Sequence, residues 1–161
     1  MSEFTAPALA SGEQAGADSL DFLIVQAADE LYGLAGASVR EVLRWRAPTP
    51  VPGAPPVLPG IISQHGVVLP VVDLRLALGL SAVFPGRAAR LVILQHEAGD
   101  LALFVDAVLD LVSLPAAARA QPPIALDPAR ARLLAAVARH DDRPLALLNL
   151  AALIAAVQEG L

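Results

Sequence analysis

Six prolines, Pro48, Pro50, Pro52, Pro55, Pro56 and Pro59, fall within a single twelve-residue window. No helix crosses such a window, because each proline ring lacks an N–H and collides with the preceding turn. An extended segment crossing the surface is what remains. The uncharged run that contains it, Ala47 to Val72, carries a further proline at Pro70, and the run Pro144 to Val157 is shorter than the about 20 residues a membrane span needs. Met1 to Ser19 holds Glu3, Glu13 and Asp18 and no arginine, so it lacks the basic start and apolar centre of a signal peptide. The chain therefore reads as soluble and cytoplasmic, with no direct membrane insertion.

On either side of the proline window the pattern is one of short apolar runs and turns. Residues 1–18 are small, polar and aperiodic and read as a flexible tail, with residues 19–161 forming the ordered domain. Phe22-Leu23-Ile24-Val25 and Leu31-Tyr32-Gly33-Leu34 flank a polar turn at Ala28-Asp29-Glu30, the signature of a hairpin. Ser38 is placed to cap one or two helical turns over Val39 to Leu43, where Val39, Val42 and Leu43 fall on one side, with a strand at Arg44-Trp45-Arg46. Ile61 to Gln64 and Val67 to Val72 flank His65-Gly66, a two-residue connection that needs positive φ. Glycine accepts positive φ freely and histidine is among the few others enriched there, which puts His65 at an exposed tip. Asp73 then caps Leu74 to Leu78, with Gly79 at the stop position.

After a linker over Ser81 to Ala89 the pattern begins again. Leu91 to Leu94 and Leu101 to Val105 flank a turn at Glu97 to Asp100, Val108 to Leu114 is a strand, and Pro115 to Pro128 is a second proline-bearing crossover. Leu133 to Ala138 and Leu145 to Leu148 flank the polar turn His140-Asp141-Asp142-Arg143, and Asn149 caps a final helix over Leu150 to Gln158. The halves 19–82 and 88–161 thus repeat in outline. Short strands at close spacing predict a mainly β fold of two five-stranded barrels with short helices, packed on one shared hydrophobic core. About 70 residues alone would be marginal, and an apolar seam between two halves removes that difficulty.

Chemistry leaves few marks on this chain. The absence of cysteine excludes a disulfide framework, a thiolate zinc site and a cysteine nucleophile. All 11 basic residues are arginine, against 16 acidic ones, and a net charge of −5 argues against nucleic acid as a partner. His65, His96 and His140 are spread through the sequence without ligand spacing, except for His140-Asp141-Asp142, which reads as a solvated turn. No G-x-S-x-G, G-x-x-x-x-G-K-[ST] or G-x-G-x-x-G occurs. Asp73 reads as a helix cap rather than a general base. Neither catalysis nor a cofactor or metal has positive support, which leaves proline-rich loops and barrel edges as surfaces for protein partners.

Several stretches resemble CheW-like domains. They are Phe22 to Val25, Glu30 to Leu34, Val39 to Val42, Pro59-Gly60-Ile61-Ile62, and above all Gly66-Val67-Val68-Leu69-Pro70-Val71-Val72-Asp73-Leu74-Arg75. Leu91 to Leu94, Leu103 to Val108 with its Val-Asp-x-Val centre, and Leu145 to Leu150 extend the likeness over roughly residues 20–158. The resemblance implies two five-stranded SH3-like barrels around a shared seam. It further implies an adaptor of bacterial chemosensory signalling without enzymatic activity. Such an adaptor bridges the cytoplasmic tips of chemoreceptors and the regulatory domain of a CheA-type histidine kinase. Carried onto this chain, Val39, Glu41 and Val42 lie on the partner-binding side, and Gly60 and the His65-Gly66 turn lie beside the receptor groove.

One departure stands out. The family usually has Asn-Leu-Arg-Gly at the hairpin tip, whereas this chain has Ser63-Gln64-His65-Gly66. Arginine would offer a permanent charge and a planar fork of donors, while neutral histidine offers one donor and one acceptor. Either the contact is lost here, or it persists in a weaker, pH-sensitive form or serves another partner. Within the family the alternative is an accessory adaptor of a pilus or surface-motility system. From other classes, a small-molecule-binding β-barrel or a hydrolase acting at the seam would instead gather side chains such as Asp73, Asp106 and His65 in one cleft.

Overall fold

The computed structural model describes residues 18–122 and 127–159. The tail expected over residues 1–18 thus lies outside the described residues apart from Asp18.

The run around Phe22 forms β1 (Leu20–Ala27), which turns at Ala28 and returns as β2 (Glu30–Ala35). A 3-10 turn at Gly36–Ser38 leads into β3 (Val39–Arg44). Beyond the proline segment come β4 (Gly60–Gln64), β5 (Val67–Asp73) and α1 (Leu74–Ala77). The second half supplies β6 (Arg90–Leu94), β7 (Leu101–Val105) and β8 (Ala107–Leu114). It closes with α2 (Pro128–Ala131), β9 (Leu134–His140), β10 (Arg143–Leu148) and α3 (Leu150–Gln158).

Two five-stranded sheets result, in the orders β8-β1-β2-β10-β9 and β3-β6-β7-β5-β4. Each sheet has three antiparallel pairings and one parallel one, β2 with β10 and β7 with β5. The sheets are SH3-like five-stranded units, but continuous pairing does not close them into the barrels expected from the sequence. In each, a single bridge from the segment after an edge strand reaches the opposite edge: Thr49 pairs with Ile61, and Ala120 with Val137. Proline explains the gap, since it cannot donate to a ladder.

The repeat read in the sequence survives in element order, but the division at 82 and 88 does not follow the sheets. The hairpin β1–β2 joins β8, β9 and β10 from the second half, and β6–β7 joins β3, β4 and β5 from the first. Each half therefore completes its sheet with the other half's hairpin. The seam between the sheets holds Leu23, Val25, Leu34, Val72, Leu103 and Leu153. Separate clusters cover the other face of each sheet: Phe22, Ile24, Leu31, Leu145 and Leu147 in the first, Ile62, Val71, Leu91, Ile93 and Phe104 in the second. Both faces of β1, β6 and β7 are thus covered, which is why these strands read as unbroken apolar runs.

One expected helix is a strand. Val39 to Leu43 pairs with β6, with a bulge between Val39 and Glu41. The bulged Arg40 shifts side-chain alternation by one residue, so Val39 and Val42 both pack on the seam while Leu43 packs on the second sheet's own cluster. A bulged strand with apolar residues at i and i+3 imitates the helical period. The strand also stops at Arg44, so Trp45 contributes one backbone bond to Ala89, 3.3 Å long, and packs on Phe104 at 6.1 Å between ring centroids.

Candidate functional site

Two residues at the tip of β4–β5 create an exposed turn on the second sheet. His65 has φ 52° and Gly66 φ 78°, the two left-handed residues of a type I′ turn. The turn presents the His65 side chain at 75 % exposure and leaves Val67 and Val68 exposed on the returning strand.

The edge strand β3 meets this tip. His65 Nε2 lies 3.3 Å from Glu41 Oε1, and Gln64 Nε2 donates to Glu41 Oε2 at 3.3 Å. Arg46 closes the group by donating through Nη2 to the Ser63 carbonyl at 2.6 Å and to Gln64 Oε1 at 3.0 Å. Side chains thus tie β3 to β4 where the backbone ladder is missing. The arrangement can present a carboxylate, an imidazole and a guanidinium beside two exposed valines.

Of the six residues singled out from the sequence, Glu41, His65 and Gly66 come together here. Val39 and Val42 sit on the same strand but lean into the seam, half-buried. Gly60 occupies the far end of β4, where an added Cβ would collide with the Thr49 carbonyl. Its position is set by the crossover bridge, which tolerates no side chain there. Sequence reasoning missed Gln64 and Arg46. Gln64 immediately precedes the turn, so its cross-strand reach was legible, but the contact of Arg46 depends on where the proline segment lays the chain.

The first sheet repeats this construction. A bulge in the β1–β8 pairing skips Leu109 just as the β3–β6 pairing skips Arg40, so Asp110 is the counterpart of Glu41. His140, the last residue of β9, is the counterpart of Gln64, and its Nε2 lies 3.5 Å from Asp110 Oδ2 and 3.5 Å from Asp141 Oδ2. The turn residues Asp141 and Asp142, with φ 49° and 64°, correspond to His65 and Gly66.

A third polar group lies between the sheets. Arg75 donates through Nε to both carboxylate oxygens of Asp106, at 3.1 and 2.9 Å, and its Nη2 lies 2.8 Å from Oδ2. Asp106 Oδ2 also accepts from the backbone N–H of Ala28 at 2.8 Å. The hydrogen bond to Asp106 raises the Arg75 pKa further above its ordinary value. Asp73 caps α1 by accepting from the Leu76 N–H at 3.4 Å, and burial pushes its carboxyl above the ordinary value. Asp73, Asp106 and His65 do not form one cleft. Asp73 and His65 flank opposite ends of β5, and Asp106 is committed to Arg75 and Ala28.

The CheW-like domain family matches residues 21–158. The chain belongs to that family. It is 36 % identical over 77 residues to the chemotaxis protein CheW of Rhizobium meliloti strain 1021, covering 48 % of this chain and 50 % of that one. It is 31 % identical over 83 residues to CheW of Bacillus subtilis strain 168, covering 52 % and 53 %. The chain thus spans about half the length of these curated relatives. A longer match, 135 residues at 31 % identity, joins it to protein FrzA of Myxococcus xanthus, covering 83 % of this chain and 84 % of that one. Among solved structures the scaffolding protein TtCheW from Thermoanaerobacter tengcongensis is similar, with a TM-score of 0.74, 26 % identity, and coverage of 81 % and 84 %. Among the described residues, no helix is long and apolar enough to cross a membrane.

Proposed function

We propose that this protein is a cytoplasmic CheW-type adaptor of a chemosensory array. It couples the cytoplasmic tips of chemoreceptors to the regulatory domain of a CheA-type histidine kinase by protein contacts, with no cofactor and no catalysis. The observation that carries the reading is the β4–β5 tip: a type I′ turn that exposes His65, Val67 and Val68 and is held to Glu41. Its support is family membership, together with the resemblance that assigns Val39, Glu41, Val42, Gly60, His65 and Gly66 to the partner side. The apolar surface there supplies affinity at about 25 cal/mol per Å² removed from water, before the costs of association. The exposed Glu41 pair adds only about 0–1 kcal/mol.

Calorimetry of this chain with the regulatory domain of the CheA-type kinase from the same genome tests the reading. Saturable heat at micromolar concentration is expected, and no heat with both proteins folded overturns it. His65→Arg is expected to strengthen receptor-array assembly in pull-downs. If that change does nothing while Glu41→Ala abolishes assembly, the tip is not a contact.

A second reading is an accessory adaptor of a pilus or surface-motility system. It is favoured by the length of the match to FrzA, which exceeds that of either CheW relative above. Pull-down from the native organism separates the two by which kinase is retained.

A further inference from the structure

Arginines gather where β3 ends. Arg44 lies directly opposite Arg90 in the β3–β6 ladder, so two guanidinium groups leave the same face of the sheet. Arg90 donates through Nη1 to the Arg87 carbonyl at 3.0 Å, and the Ala89 N–H donates to the Gly86 carbonyl at 3.2 Å, a turn that holds Arg87 beside the pair. Phe84 precedes Arg87 by three residues, which keeps its Cα within about 11 Å of that of Arg87. The Phe84 side chain is 97 % exposed, and Val83 beside it is exposed as well.

Two observations mark this corner as half of an interface. The first is charge without a partner. Among the described residues no carboxylate pairs with Arg44, Arg87 or Arg90. Arg90 reaches only the carbonyls of Arg87 and Ala89. Acids on and beside the adjoining strands are committed elsewhere. Glu41 holds the β4–β5 tip, and Asp106, which follows the cross-strand partner of Arg90, holds Arg75 and the Ala28 N–H. Like charges directly opposite each other in a ladder oppose folding, and these stand in a chain whose net charge is −5. The second observation is the phenyl ring of Phe84, which folding leaves in water and a partner would remove from it. Arginine beside an aromatic anchor is the composition that dominates binding energy at protein interfaces.

We infer that this corner docks an acidic segment of a protein partner, whose carboxylates accept from Arg44, Arg87 and Arg90 and whose apolar side chain covers Phe84. Guanidinium forks match carboxylates two bonds at a time. A protein segment is favoured over nucleic acid or an anionic bilayer, because three arginines do not outweigh a net charge of −5 across so broad an anionic surface. A short acidic segment meets the local field alone. Arg44 also ends the strand that carries Glu41, so the corner continues the surface assigned to the adaptor's partners. The inference rests on the adaptor reading only in taking the partner to be a protein.

The test is a nuclear magnetic resonance titration of the full chain with a capped peptide of four Glu-Glu-Leu repeats; the same peptide with glutamine for glutamate is the uncharged control. Saturable shifts of the Arg44, Arg87 and Arg90 Nε–H groups and of the Phe84 amide are expected at millimolar peptide or below. The control should bind at least about tenfold more weakly, and raising NaCl from about 50 to about 300 mM should weaken the acidic peptide at least about threefold. Arg44→Gln combined with Arg90→Gln is expected to weaken it about tenfold while thermal stability holds or rises, since the like-charge pair is relieved. If that variant does not fold, Arg87→Gln on the exposed turn takes its place. Phe84→Ser should weaken the acidic peptide about threefold without altering its salt dependence. No saturable shift, equal binding of the two peptides, shifts confined to other arginines, or folded variants that bind like the parent would overturn the proposal. So would shifts of these residues on concentrating the chain alone, which make the occupant a second copy, or sedimentation with phosphatidylglycerol vesicles in place of peptide binding. Peptide binding without heat from the kinase domain would count against the adaptor reading alone, and kinase binding without peptide binding against this inference alone.

Discussion

Asp106 serves both sheets at once. Its carboxylate holds Arg75 of α1 on one side and the Ala28 N–H of the β1–β2 turn on the other. Ala28 sits at φ 56°, a conformation that disfavours any side chain, and the bond from Asp106 helps fix it there. Replacing Asp106 with alanine would leave a partly buried guanidinium without its carboxylate and the Ala28 N–H without its acceptor. The expected loss is about 1–3 kcal/mol in urea unfolding, more than for a fully exposed pair. Asp73 illustrates the opposite case. Burial raises its carboxyl above the ordinary 3.8, so between that value and the raised one the folded state binds more protons than the unfolded state. Stability attributable to Asp73 therefore falls as pH rises through that window. Asp73→Asn keeps an oxygen to cap α1 but carries no charge. It should flatten this part of the stability–pH curve without lowering stability at pH 7, as thermal unfolding across that window would show.

At the scale of elements, the hairpins and caps were legible because short-range chemistry specifies them. His65-Gly66 could be read as a turn, since two consecutive left-handed residues admit few side chains. Asn149 could likewise be read as a cap, and it accepts from the Ala152 N–H at 3.0 Å. Strand β3 was not legible, since its bulge at Arg40 is imposed by pairing with β6 and not by any local preference. The hairpin also allows the two duties of His65 to be separated. His65→Asn creates an Asn-Gly turn, which suits type I′ geometry at least as well, so thermal stability should hold or rise. Loss of kinase or receptor binding in that folded variant would then report on the imidazole itself, whereas unchanged binding would reduce His65 to a turn former.

The whole molecule is an exchange between its halves. Because β1–β2 completes the sheet of β8, β9 and β10, and β6–β7 that of β3, β4 and β5, neither half encloses a core alone. A chain split between residues 82 and 88 should therefore yield two fragments that are unfolded apart and acquire β structure on mixing. Circular dichroism of each fragment and of the equimolar mixture is the measurement. A fragment that folds cooperatively by itself would contradict the exchange. The same architecture explains how the candidate site arises. Glu41 and His65 are far apart in sequence and become neighbours because the proline crossover lays β3 and β4 at opposite edges of one sheet, while Thr49 and the side chains of Gln64 and Arg46 bring those edges together. Sequence reading named both residues through family resemblance, but only the tertiary arrangement supplies the 3.3 Å contact.

Local rules in the sequence determined where most hairpins turn, which polar residues cap the helices at Asp73 and Asn149, that the prolines from Pro48 to Pro59 exclude a helix there, and that the halves repeat. Tertiary structure alone decided which half's hairpin completes which sheet, that β3 bulges rather than coils into a helix, and that Arg44 stands opposite Arg90. The reason is the range of the forces. Turn geometry, capping and proline sterics act within a few residues of chain. Strand partnership depends on which apolar faces can be covered together, and that is fixed only when segments remote in sequence pack against each other.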